Sequence, residues 1–355
     1  MRVTAFTKYD REAASTRQRV LQYLPSLAHA GIEVAVHPLL DDAYVRSLAS
    51  GTAASKIAIA AAYARRFRQL LKPQSADLIW VYAELFPWLP ARFEQLAFRS
   101  GQPVIYDFDD AFFHPYDDHS NLLVRATLGG KLKPLITGAA AVCAGNAYLG
   151  DYAARAGASA MILPTVVDID QYVPAKTRAD RPLTIGWIGS PTTWAFVRPL
   201  LPLLSELCRD RSVRVSAVGA GAAAEADRFD GLTFVPWSEA SEIASVQAMD
   251  IGIMPLPDEP WARGKSGYKL VQYMACGLPV VASPVGVNGD IVADGVSGLL
   301  ATDLDQWRAA VIRLIDDPGL RAAIGRAGRA RAVDAYSLQT HAPRLIEAMQ
   351  RAVAR

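Results

Sequence analysis

The chain has 355 residues, 51% of them hydrophobic, and its 37 basic and 35 acidic side chains leave a net charge of +2. That length predicts two domains of ordinary size, and the near-balanced charge excludes a global field for nucleic acid. No stretch supplies the ~20 uninterrupted apolar residues that cross a bilayer, and the opening MRVTAFTKYD lacks a signal-peptide core, so a cytosolic protein is expected. Cys143, Cys208 and Cys276 are too few and too far apart for a disulfide framework or a paired zinc site; reduced, buried thiols are expected.

In chain order, residues 1–170 alternate β-branched runs (RVTAFT, IEVAVHPL, DLIWVYA, PVIYDF, AAVCAG) with helical patterns such as STRQRVLQYLPSLAHAG. This alternation predicts parallel βαβ units. The polar, proline-bearing QYVPAKTRADRP, residues 171–182, reads as a linker. A second series follows over 183–335: LTIGWIG, a helix over Thr193 to Cys208, VRVSAVGAG, LTFVPW, DIGIMPL, a helix, PVVAS and SGLLA. From Asp303 the chain is predicted helical, and residues 336–355 form a last helix returning to the N-terminal domain. The expected architecture is α/β: two Rossmann-like doubly wound parallel-sheet domains facing a cleft.

Ligands of open parallel sheets lie beyond the carboxyl ends of the strands, so the candidate residues are sought there. In GKSGYKLVQYMACG, Gly267 stands where a loop becomes a helix, and the N–H groups of Gly267, Tyr268 and Lys269 can meet a phosphate. Lys269 and Gln272 share a helical face, and Lys265 and Ser266 precede it. A helix start with solvated polar residues is the alternative. In IGWIGSPTT, Gly189 and Ser190 make a second helix start open to an anion. YDFDDAFF sets Asp107, Asp109 and Asp110 after a strand, where mutual repulsion demands solvation, pairing or a metal. Arg17 and Arg19 follow the first strand and suit an acidic acceptor or phosphate. Lys56 to Lys72 carries five bases and no acid among apolar side chains, the composition of a helix lying on an anionic membrane; a packed helix with a basic outer face is the alternative. The five histidines show no metal spacing.

DIGIMPL, GYKLVQYMACGLPVVASPVGVNGDIVADGVSGLLA, LRAAIGRAGRARAVDAYS and VVDIDQY together resemble the nucleotide-binding half of GT-B glycosyltransferases of family 4. The resemblance implies retaining transfer of a sugar from a nucleotide donor without a metal or other cofactor, to a glycan or lipid-linked acceptor, as in bacterial polysaccharide or glycolipid synthesis. In that family one glutamate touches the transferred sugar and a second touches the ribose. Here Gly264 and Gln272 stand in their places, and Asp109 stands where a histidine is usual. Taking the residue patterns and the resemblance together, Gly189, Ser190, Lys265, Ser266, Gly267, Tyr268, Lys269 and Gln272 are expected to bind the donor, Asp109 and Lys265 to serve catalysis, and Arg17, Arg19, Asp107 and Asp110 to bind the acceptor. Gln272 in place of a carboxylate points to a deoxythymidine diphosphate donor, such as a 6-deoxyhexose, with a uridine or guanosine donor as the alternative. Three rivals stay open: a metal-dependent GT-A transferase using Asp107-Phe108-Asp109, a sugar-nucleotide epimerase on the same fold, and a non-catalytic subunit.

Overall fold

The computed structural model describes residues 1–72, 75–175 and 181–354, and the chain divides into two units. The first comprises Met1–Thr165, Gly264–Ser266 and His341–Arg355; the second comprises Val166–Arg263 and Gly267–Thr340.

The first unit holds β1 (Arg2–Tyr9), β2 (Glu33–Leu40), β3 (Leu78–Tyr82), β4 (Val104–Phe108), β5 (Ala141–Ala144) and β6 (Ala160–Ile162) in the order β2-β1-β3-β4-β5-β6. Every pairing is parallel. β3 and β4 are buried throughout, because helices cover both faces of a parallel sheet and leave no polar side to alternate with. β6 was not foreseen: three residues are too few to show a period.

The second unit holds β7 (Thr184–Ile188), β8 (Arg214–Val218), β9 (Leu232–Val235), β10 (Ile251–Met254), β11 (Val280–Ala282) and β12 (Leu299–Leu300), ordered β12-β11-β10-β7-β8-β9 and again all parallel. The strand order reverses between β7 and β10 here, and between β1 and β3 in the first unit. Such reversals open a crevice at the strands' carboxyl ends.

Proline breaks two helices that periodicity reads as continuous. The stretch from Thr193 to Cys208 is divided into Pro191–Trp194, a 3-10 turn Arg198–Leu200 and Leu201–Arg211, since Pro199 and Pro202 are tolerated only in a first turn. Likewise Pro25 opens a separate helix, Leu24–His29, after Ala14–Arg19. The tail forms Leu304–Asp316, Pro318–Ala335 and Leu338–Val353.

The boundaries differ from the expected ones. The chain enters the second unit at Val166, and Tyr172, assigned to the linker, is buried in that unit's core. Residues 176–180 of the expected linker lie outside the described residues. The return to the first unit starts at His341, and Gly264–Ser266 also belong to it.

Candidate functional site

Beyond β7, β8 and β9 the second unit brings glycines and aromatic rings together. A Cβ on Gly219, whose φ is +77°, would lie 2.4 Å from the Gly189 carbonyl oxygen and 3.2 Å from the Trp237 Cβ. One on Gly189 would lie 2.8 Å from the Lys269 Cε. The Lys269 ammonium stands 5.8 Å from the Trp187 ring centroid. Gly267 starts the helix Tyr268–Ala275 in the left-handed conformation, φ +68°, and a Cβ there would strike Ile291 at 2.3 Å and Val287 at 2.9 Å. Glycine is therefore required twice over, by backbone and by packing. Gly189 and Ser190 need correction as a phosphate cradle. The Gly189 N–H donates to Val218 and the Ser190 N–H to the Thr193 hydroxyl, so both donors are engaged inside the fold.

Gln272 is nearly fully buried on the face that carries Lys269. Its amide nitrogen donates to the Glu242 Oε1 (2.8 Å) and to the Tyr172 hydroxyl (3.0 Å). Tyr172 in turn donates to Glu242 Oε1 (2.5 Å), and the Trp237 indole donates to Oε2 (2.7 Å). Burial, and then Glu242 beside it, raise Tyr172 well above the ordinary phenol range. Arg329 clamps the backbone here, donating to the carbonyls of Ile169, Tyr172 and Ala275. Glu242 and Trp237 escaped sequence reasoning: SEASEI looks like an exposed polar turn, and nothing in its spacing signals a buried carboxylate.

Beyond the first unit's strands the acids separate. Asp107 is fully buried against Arg19, which also donates to the Leu163 carbonyl (2.7 Å). The acceptor-binding expectation for Arg19 and Asp107 is thus corrected: with no exposed surface, they tie the helix Ala14–Arg19 to β4. Their pairing also removes Asp107 from an exposed Asp-x-Asp, and two Rossmann-like sheets replace the single nucleotide domain that the GT-A rival required. Asp109 accepts from the Tyr82 hydroxyl (2.6 Å) and the Thr165 hydroxyl (3.1 Å). Burial, then Asp110, push its carboxyl up to about 6. Asp110 pairs with Lys265 (3.0 Å), while Asn146 donates to the carbonyls of Gly264 and Lys265. Lys265 therefore joins the acids of the first unit. Arg17 is buried and donates to the carbonyls of Arg11 and Glu12, a corrected role that shapes the loop after β1.

An ionic cluster that the sequence did not signal lies by the carboxyl ends of β1 and β3. Lys8, next to the end of β1, pairs with Glu84 (2.8 Å), which also binds Lys131 (2.9 Å) and accepts from the Tyr116 hydroxyl (2.7 Å). Although burial opposes its ionisation, Lys8 and Lys131 hold Glu84 below the usual carboxylate range. Ala83, just before it, takes φ +67°, an unusual conformation for alanine that directs Glu84 inward.

The basic helix is Lys56–Leu71. Arg66 does not face outward: it is fully buried and donates to the carbonyls of Thr7, His37 and Leu85. No helix among the described residues is long and apolar enough to cross a membrane.

Similarity to known proteins agrees with this architecture. The Thermosynechococcus elongatus sucrose-phosphate synthase superposes over 99% of both chains with a TM-score of 0.75 at 15% identity, and the Anabaena protein HepE, solved with UDP-glucose, over 99% of both at 0.74 and 16%. The chain shares their fold of two Rossmann-like domains, the GT-B fold. Residues 182–317 match the family described as glycosyl transferases group 1. Among curated proteins, the D-inositol 3-phosphate glycosyltransferase of Segniliparus rotundus is 31% identical over 196 residues, 48% of this chain and 42% of the relative. The GDP-mannose-dependent alpha-(1-6)-phosphatidylinositol monomannoside mannosyltransferase of Mycolicibacterium smegmatis is 36% identical over 113 residues, 30% of each chain. The chain thus spans under half the length of these relatives.

Proposed function

We propose that the protein is a metal-independent, retaining glycosyltransferase that moves a hexosyl group from a nucleoside-diphosphate sugar to a glycan or lipid-linked acceptor in the cytoplasm. The observation that carries this reading is the strand-end site of the second unit, where Gly189 and Gly219 bring backbone close and Gly267, Lys269 and Gln272 line one helix start. A diphosphate leaving group fits there: helix N–H groups and an ammonium oppose the charge that develops as the glycosidic bond breaks, and they need no reorganisation to do so. Within the first unit, Asp109, Asp110 and Lys265 beyond the strand ends are the groups proposed to bind an acceptor hydroxyl. The relatives named for inositol phosphate and phosphatidylinositol mannoside substrates, and HepE with its UDP-glucose, support the classes of acceptor and donor.

The nucleoside is proposed to be deoxythymidine. Gln272 has both amide hydrogens engaged and offers one carbonyl, which suits a pentose with a single ring hydroxyl. The acceptor is proposed to be presented at an anionic membrane by the helix Lys56–Leu71. Ile57 (84% exposed), Phe67 (38%) and Leu71 (41%) point outward on it among exposed Lys56, Arg65 and Arg68, with Lys72 following.

The deciding experiment incubates the protein with a panel of nucleotide sugars and measures released nucleoside diphosphate and the product anomer. Release with retained configuration is expected. A protein that binds donors but releases nothing in the presence of acceptor extracts is a non-catalytic subunit.

A further inference from the structure

Glu242 occupies the centre of the Gln272 network without belonging to the helix that lines the site. It lies on a separate short helix, Glu242–Gln247, with 6% exposure, and its carboxylate accepts from three neighbours: Tyr172, Gln272 and Trp237. A carboxylate only accepts hydrogen bonds, so it forces the group facing it to donate. A glutamine amide is nearly symmetric in shape and turns whichever end its surroundings demand. Facing Glu242, Gln272 must present its nitrogen inward. That nitrogen's second hydrogen goes to the Tyr172 hydroxyl, itself a donor to Glu242. Gln272 is left with its carbonyl oxygen and no donor for a ligand. The network also reaches the strand ends, because Trp237, bonded to Glu242, packs against Gly219, which lies against Gly189, and Gly189 in turn touches the Lys269 side chain.

We propose that Glu242 is a positioning residue that locks Gln272 as an obligate hydrogen-bond acceptor for a pentose hydroxyl of the donor nucleoside. Gln272 is thereby a neutral acceptor whose direction is set by a carboxylate from another helix. This rests on the donor reading above, since it needs the nucleoside to lie against Gln272. With Glu242→Gln, two amides face one another, neither is directed, and Gln272 can turn its nitrogen outward, where it meets a hydroxyl with no fixed preference.

The test is isothermal calorimetry with deoxythymidine diphosphate, uridine diphosphate and inorganic pyrophosphate on the wild type, Glu242→Gln, and the double variant Glu242→Gln, Gln272→Glu. Glu242→Gln is expected to weaken both nucleoside diphosphates by about 5- to 20-fold, the loss of about one directed hydrogen bond, and to leave pyrophosphate affinity within about twofold. The double variant, in which a carboxylate again faces an amide, is expected to recover most of the nucleoside diphosphate affinity. Equal weakening of pyrophosphate and nucleosides, or no weakening of either, overturns the inference and makes the network a structural one. If the wild type binds none of the three, the donor reading itself fails, and with it this inference.

Discussion

Substituting Gly267 by alanine tests the strand-end site where it is most constrained. The left-handed conformation at φ +68° costs an L-residue about 1–2 kcal/mol. The new methyl would also stand 2.3 Å from the Ile291 Cδ1, and Ile291 is fully buried and cannot swing into solvent. Overpacking of this kind costs about 1–3 kcal/mol. The two effects sum to about 2–5 kcal/mol for Gly267→Ala. Gly289→Ala is the control: it lies in the short helix Asn288–Ile291 with nothing within 4 Å of its Cβ, so a gain of about 0.4–1 kcal/mol is expected. Urea unfolding followed by tryptophan fluorescence reads both, since Trp187 and Trp194 are buried in the second unit's core. A Gly267→Ala midpoint within about 0.5 kcal/mol of the wild type refutes the steric account. A variant that remains folded yet binds nucleoside diphosphates as tightly as the wild type refutes the placement of the donor at this helix start.

Breaking the Arg19–Asp107 pair by Arg19→Met is expected to cost about 3–5 kcal/mol, because the remaining carboxylate is buried without a counter-charge; Arg19→Met with Asp107→Leu should cost clearly less than the sum of the single changes in a thermal unfolding cycle. Asp109 has its folded pKa raised from 3.8 to about 6, so the folded state holds the proton more tightly and its stabilising contribution is lost as the pH climbs from about 4 to about 6; the wild type should lose stability over that window relative to Asp109→Asn, by at most about 3 kcal/mol, and parallel curves would refute the shift. Replacing Lys56, Arg65, Arg68 and Lys72 by glutamate is expected to abolish salt-sensitive sedimentation with anionic vesicles, whereas equal sedimentation of both proteins with neutral and anionic vesicles removes the electrostatic part of the membrane reading. Turnover is expected to survive chelation of divalent ions, and activity lost to chelator and restored by manganese would bring back a metal-dependent reading.

Much of the architecture was legible in the chain because it follows from local rules. Runs such as LIWVY and VIYDF read as buried parallel strands, and Gly267 before an amphipathic helix marks a helix start, because both depend on residues within one or two turns of each other. Charge pairing does not obey that range. Arg19 and Asp107 stand 88 residues apart and Gln272 and Glu242 stand 30 apart, so no spacing distinguishes an arginine that binds an anionic ligand from one that neutralises a buried aspartate. The sequence by itself therefore determined two parallel α/β sheets, the glycines at their strand ends and the residue types available there. Only the tertiary structure decided which of those polar groups are already engaged: burial sets what a charge costs, and burial is a property of the assembled layers rather than of any segment. Asp107 and Arg19 were withdrawn from the first unit's candidate groups by their mutual pairing, and Glu242 was brought to the second unit's strand-end site from a turn that looks solvated, because a buried amide and a half-buried indole needed an acceptor that only the folded chain could bring to them.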